Sequence, residues 1–126
     1  MNWLDLIFLG ERLVAERTEA SRRTGVNRAY YGTLHVCRCW LEARGARVER
    51  RRMHAHVWES FEGPGWSSKG GVEGWELVAE LGNSLRRLRN LADYEDIFPD
   101  LEREAAEAVG TAKQILALLP ALELAD

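Results

Sequence analysis

Leu101, Ala105, Ala108, Ala112, Ile115 and Leu119 follow one another at steps of 4, 3, 4, 3 and 4. That interval is the period of a single helix face. A strand, whose side chains alternate every second residue, cannot gather such a set on one side. Alanine fills the first half of the seam, so a neighbouring helix can approach closely there. The rest of the chain is built the same way: Leu, Ala, Glu and Arg dominate, β-branched residues are sparse, and no segment alternates. The spacing predicts five helices over about 2–18, 25–44, 51–62, 73–94 and 99–119. The expected fold class is all-α, an antiparallel up-and-down bundle of four to five helices. At 126 residues the chain is expected to form one domain, 1–126, with a hydrophobic core of its own.

Local signals set the boundaries. Gly45 suits the end of the second helix, because glycine enters the left-handed conformation cheaply. The stretch "EGPGWSSKGG" is expected to be a mobile loop over about 62–72. It lacks both the G-x-x-x-x-G-K-[ST] spacing and the preceding strand of a phosphate loop. Pro99 and Asp100 suit the first turn of the last helix, where a missing N–H costs nothing and a carboxylate meets the positive end of the dipole. On the fourth helix Leu77, Leu81, Leu85, Leu88 and Ala92 form the expected buried stripe, which leaves Arg86, Arg87, Asn90 and Tyr94 on other faces.

With 17 basic and 20 acidic residues the net charge is -3, so the overall balance demands neither nucleic acid, nor a membrane surface, nor an acidic ligand. The one strongly basic run, "RGARVERRRMH", holds five arginines between Arg44 and Arg52. It reads either as a phosphate-facing patch or as a solvated helix start. Cys37 and Cys39 are two apart on a helix and point in nearly opposite directions, so they neither bridge nor chelate together. The apolar run "NWLDLIFLGERLVAER" is interrupted by Asp5, Glu11 and Arg12 and is too short to span a bilayer. Neither a signal peptide nor a membrane association is expected, and a reducing cytoplasm is the natural compartment. His54 and His56 form an H-x-H pair with no acid close by, weak grounds for a metal, and no cofactor is expected.

Winding residues 26 to 43 at about 100° per residue separates two faces of the second helix. Val26, Ala29, Tyr30, Thr33, Leu34, Val36, Cys37, Trp40 and Leu41 are expected to face the core. Arg28, Tyr31, His35, Arg38, Cys39 and Glu42 lie on the other side. Arg28 and His35 are nearly in register there, roughly 10 Å apart along the axis, with Tyr31 between them. This mixed face suits a dimer interface or a ligand, while a merely solvated surface is the plainer alternative.

The stretch "SRRTGVNRAYYGTLHVCRCWLEARG", then His54 in "RRMHAHVWESF", then "LRRLRNLADYEDI" resembles the HEPN (higher eukaryotes and prokaryotes nucleotide-binding) proteins. The likeness is to small prokaryotic members with a "RAYYA..H" helix and a later "R..ADY" segment, and it covers about residues 20 to 118. The resemblance implies a helical bundle that is frequently a homodimer and is often encoded beside a minimal nucleotidyltransferase in toxin–antitoxin or defence systems. Many such proteins are metal-independent ribonucleases. Their motif is an arginine, usually followed by a polar residue, with a histidine four to six residues beyond, and two motifs meet across the dimer. Histidine can move a proton near neutral pH while arginine neutralises the scissile phosphate.

Here "RNLADY" supplies Arg89 and Asn90, but Tyr94 stands where the histidine belongs. A phenol, with a reference pKa of about 10, does not readily take a proton at pH 7. Arg89 also stands four residues before Asp93, the spacing of a structural ion pair. The expected function is therefore a binding module for RNA, a nucleotide or a partner minimal nucleotidyltransferase. It would use Arg28, Tyr31, His35, Arg86, Arg89, Asn90 and Tyr94, because guanidinium grips phosphate and an aromatic ring stacks on a base. Two alternatives stay open. One is a ribonuclease in which Arg89 and Asn90 position phosphate and a displaced histidine, His35 or His54, moves the proton. The other is a purely structural assembly subunit.

Overall fold

The computed structural model describes residues 1–62 and 72–122, all helix, turn and loop among the described residues. The loop expected over 62–72 lies, from 63 to 71, outside them. Five helices follow in order: α1 (Leu4–Val14), α2 (Glu19–Ala43), α3 (Met53–Glu62), α4 (Val72–Tyr94) and α5 (Leu101–Leu122). The all-α bundle expected from the spacing is the observed class.

The ends differ from expectation where a cap outweighs periodicity. α2 starts at 19 rather than 25, because the Thr18 hydroxyl accepts the Ser21 N–H at 3.1 Å and satisfies an orphan donor of the first turn. α1 is correspondingly shorter, running from Leu4, whose N–H is held by Asn2 Oδ1, to Val14. At the far end of α2, Gly45 takes φ +92°, the left-handed stop expected of it. Pro99 and Asp100 precede α5 instead of forming its first turn, and Asp100 has φ 54°.

Contacts between helix ends give the topology. Gly10 of α1 meets Gly25 of α2 so closely that a Cβ on either would stand under 3 Å from the other's carbonyl oxygen. Trp3, just before α1, lies against Gly32, so α1 and α2 run antiparallel. Arg23, early in α2, donates to the carbonyls of Leu91, Ala92, Glu95 and Asp96 at the end of α4. Gly74 early in α4 meets Leu122 at the end of α5. Helices α1, α2, α4 and α5 therefore alternate in direction, and α3 packs mainly on α4.

The core face of α2 is as expected: Val26, Ala29, Tyr30, Thr33, Leu34, Cys37 and Leu41 are buried, with Val36 and Trp40 half-buried beside them. Ala105, Ala108, Ala112, Ile115 and Leu119 of α5 are buried too. On α4 the stripe is rotated. Leu85, Leu88 and Ala92 are buried, but Leu77 and Leu81 are only half-buried, and Trp75, Val78 and Ala79 carry the first half. The buried seam follows 75, 78, 82, 85, 89 and 92, again at steps of 3 and 4. Two of its members, Gly82 and Arg89, are not apolar, so a hydrophobicity pattern slides past them onto the neighbouring leucines. The Trp58 indole lies directly on Gly82, where only a missing side chain leaves room.

Candidate functional site

Position 89 on that seam carries a guanidinium into the groove between α2 and α4, where Arg89 is 6% exposed. Three tyrosine rings surround it, with centroids 5.2 Å (Tyr30), 5.4 Å (Tyr31) and 5.9 Å (Tyr94) from its central carbon. Their negative faces replace part of the water that the charge has lost. Asp93, one turn along, approaches to 3.7 Å, so the ion pair anticipated from the spacing forms, at a distance too long for a good hydrogen bond. The buried Nε of Arg89 makes no hydrogen bond among the described residues.

Asp93 is also held from α2. It accepts Asn27 Nδ2 at 3.0 and 3.3 Å, and Asn27 Oδ1 accepts Arg28 Nη1 at 2.6 Å. A polar chain Arg28–Asn27–Asp93–Arg89 thus crosses the groove. It opens on a shallow cavity of about 340 Å³ lined by Arg23, Thr24, Asn27, Arg28, Ala92 and Asp93.

On the other side of Arg89, the fully buried Tyr30 hydroxyl lies 2.8 Å from His54 Nδ1 and accepts Trp58 Nε1–H at 3.2 Å. Indole N–H is a donor only, so the phenolic proton has a single acceptor within reach, the lone pair of His54 Nδ1. A phenol that donates there requires the neutral imidazole with its proton on Nε2. Burial pushes the His54 pKa below its ordinary value, and the charges of Arg89 and Arg86 push it the same way, joined by His35 when that ring is protonated. Burial likewise raises the Tyr30 phenol, against the opposing pull of the Trp58 hydrogen bond and of Arg86 and Arg89.

His35 shows a second version of the same arrangement. Its ring stacks on Trp3 with centroids 3.9 Å apart, and its Nδ1 accepts Arg38 Nε–H at 3.1 Å. Because guanidinium is a donor only, this histidine too is neutral with the proton on Nε2. Burial, then the charges of Arg38 and Arg50, lower its pKa.

The row Arg28–Tyr31–His35 is accordingly spread over three neighbourhoods. Arg28 is exposed and joins Asn27, Tyr31 is half-buried between Arg89 and His54, and His35 belongs to Trp3 and Arg38. Arg86 lies close enough to bear on Tyr30 and His54. Asn90 and Tyr94 are exposed, Tyr94 at 73%. The two histidines of the H-x-H pair diverge: His56 Nδ1 accepts the Glu49 N–H at 2.9 Å, while His54 faces Tyr30. No cluster of three or more metal-ligating side chains occurs among the described residues. In the basic run, Arg44 lies over the Trp40 ring, and Arg50 and Arg52 pair with Glu42, Glu49 and Glu59.

Sequence reasoning missed Asn27, Trp58, Trp3 and the clamp made by Arg23. Only Asn27 and Arg23 left a signal, standing four residues apart on the turn that leads to Tyr30 and Tyr31. The partners of Trp58 and Trp3 come from other helices. No helix among the described residues is long and apolar enough to cross a membrane. No family model matches the chain, and comparison with curated proteins and with solved structures found no significant match.

Proposed function

We propose that this protein is a HEPN-type binding module whose groove between α2 and α4 takes a phosphate-bearing ligand, RNA or a nucleotide. It would act alone, as a homodimer, or with a minimal nucleotidyltransferase in a toxin–antitoxin or defence setting. The observation that carries the proposal is the Arg89 cluster, a desolvated guanidinium among three tyrosines, the exposed Tyr94 one of them, with Arg28 and Arg86 at its margins. Guanidinium and aromatic faces together suit a phosphate and the base attached to it. The sequence resemblance adds the family, since "NRAYYGTLH" supplies Tyr30 and Tyr31 and "RNLADY" supplies Arg89 and Tyr94.

Binding is favoured over RNA cleavage on a point of proton chemistry. A ribonuclease of this kind needs a histidine that takes and returns a proton. The lone pairs of His35 and His54 are both engaged, by Arg38 and by Tyr30.

The test is titration of a fluorescein-labelled oligouridylate at low and at raised salt. Affinity should fall as salt rises. Replacing Arg28 and Arg86 together with Ala should weaken binding about ten-fold or more and flatten the salt slope by about 1 to 2. No binding at low salt would leave an assembly subunit.

A further inference from the structure

We infer that His54 is a fixed hydrogen-bond donor to a phosphate ester, its Nε2–H acting beside Arg86 and Arg89 as an anion site on the α3 side of the groove. This inference rests on the binding role proposed above and names the chemical group that the site takes.

The direction of the donor comes from the core. Trp58, seated on Gly82, gives its N–H to Tyr30, and Tyr30 gives its O–H to His54 Nδ1. A protonated His54 would leave the buried phenolic proton without an acceptor, so donation from Tyr30 goes with the neutral ring and leaves Nε2 as a donor. The ring is fixed as well, lying parallel to Tyr30 and edge-on to Tyr31.

The surrounding charge then selects the ligand. The charges that act on His54 are those of Arg89 and Arg86 of α4, while His35 of α2, neutral at its hydrogen bond to Arg38, adds positive charge only when protonated. Arg86 makes no ion pair among the described residues, and the one carboxylate beside Arg89, Asp93, is shared with Asn27 on the far side of the cluster. His35 provides the contrast. The charge of its neighbour Arg38 is answered by Glu42 at 2.5 Å, which Arg50 also reaches. A half-buried N–H donor in a neighbourhood of arginine charge that no carboxylate on its side answers is matched by an anion with several acceptor oxygens, and a phosphate mono- or diester is that anion in a nucleotide or an RNA backbone.

The experiment measures binding of adenosine monophosphate and, separately, of the labelled oligouridylate to the wild type, His54→Phe and His54→Gln, with thermal unfolding recorded for each. Phenylalanine keeps the ring stacked on Tyr30 but removes the donor, and binding should weaken about ten-fold, the size of one hydrogen bond to a charged group. Glutamine restores an N–H donor near the Nε2 position and should stay within about three-fold of wild type. Response of both probes assigns the site to any phosphate ester, and response of the oligonucleotide alone assigns it to the RNA backbone. Binding should also persist as pH rises from about 6 to 8, because the neutral ring is the donor.

Wild-type affinity in a folded His54→Phe variant overturns the inference and leaves the binding proposal standing. Loss of wild-type binding across that pH interval overturns it too, since it would assign the contact to the imidazolium. Failure of the wild type to bind either probe removes both ideas together.

Discussion

His35 and His54 both have pKa values pushed below the ordinary histidine value, but in different surroundings. His35 is fixed at the surface by one arginine, with a stacked tryptophan from the chain just before α1 and carboxylates close by. His54 is fixed from the core, at the end of a hydrogen-bond chain that starts on a tryptophan packed against a glycine. An outer hydrogen bond can be exchanged for water. Both bonds to the histidines are half-buried, but the Trp58–Tyr30 bond beneath His54 is buried and has no such substitute, so the His54 neighbourhood should be rigid and costly to disturb, and that of His35 forgiving.

The largest effect should follow from removing the foundation of the inner chain. In Gly82→Ala the new Cβ would stand 2.2 Å from a ring carbon of Trp58, and a rigid indole cannot yield by bending its tip. The expected loss is about 3 kcal/mol, at the upper end for overpacking, measured by urea unfolding. The imidazole signals of His54 should shift while those of His35 stay in place.

Next comes the chain itself. Tyr30→Phe keeps the ring and removes the oxygen, which leaves Trp58 N–H and His54 Nδ1 unpaired, at a cost of about 2 kcal/mol by the same measurement. The matching change on the outer side, Arg38→Gln, removes a half-buried donor that water can replace, and should cost about 0.5 kcal/mol. Equal losses would erase the distinction between the two regions.

The fold was legible wherever apolar periodicity and burial coincide, as on α5 and on the core face of α2. It was misread on α4 because Gly82 and Arg89 occupy core positions for reasons that hydrophobicity does not encode: one makes room for an indole, the other sits among aromatic faces. Arg89 was visible as part of a motif and as a partner for Asp93, but not as the buried centre of a cluster. The hydroxyl that fixes His54 was invisible, because Tyr30 and His54 are 24 residues apart and meet only through packing. Short-range signals also misplaced the start of α2, where the side chain of Thr18 begins the helix before the apolar pattern does.

A smaller effect concerns pH. Both histidines have folded pKa values below the ordinary 6.5, so the unfolded chain takes up protons first. Their contribution to stability is complete above about pH 6.5 and declines as pH falls below it. Urea midpoints measured from pH 8 down to 5 should therefore drop on the acid side, and His54→Gln and His35→Gln should each remove part of the drop. A flat profile in the wild type would contradict the neutral assignments.

The smallest effect, and a control, is Asp100→Gly. Asp100 takes φ 54°, a left-handed conformation that glycine adopts without strain. The substitution touches neither histidine, gives up an exposed contact with Arg103, and should raise stability by at most about 1 kcal/mol without altering ligand binding.

Binding without cleavage is read most plainly from the fluorescence anisotropy of labelled oligouridylate followed for hours after mixing with wild-type protein in the presence of a chelator. Anisotropy should rise promptly to a plateau that holds and that added salt reverses. A rise followed by decay below the value of the free oligonucleotide would show that the strand is being cut, and would contradict the assignment of His35 and His54 as fixed donors.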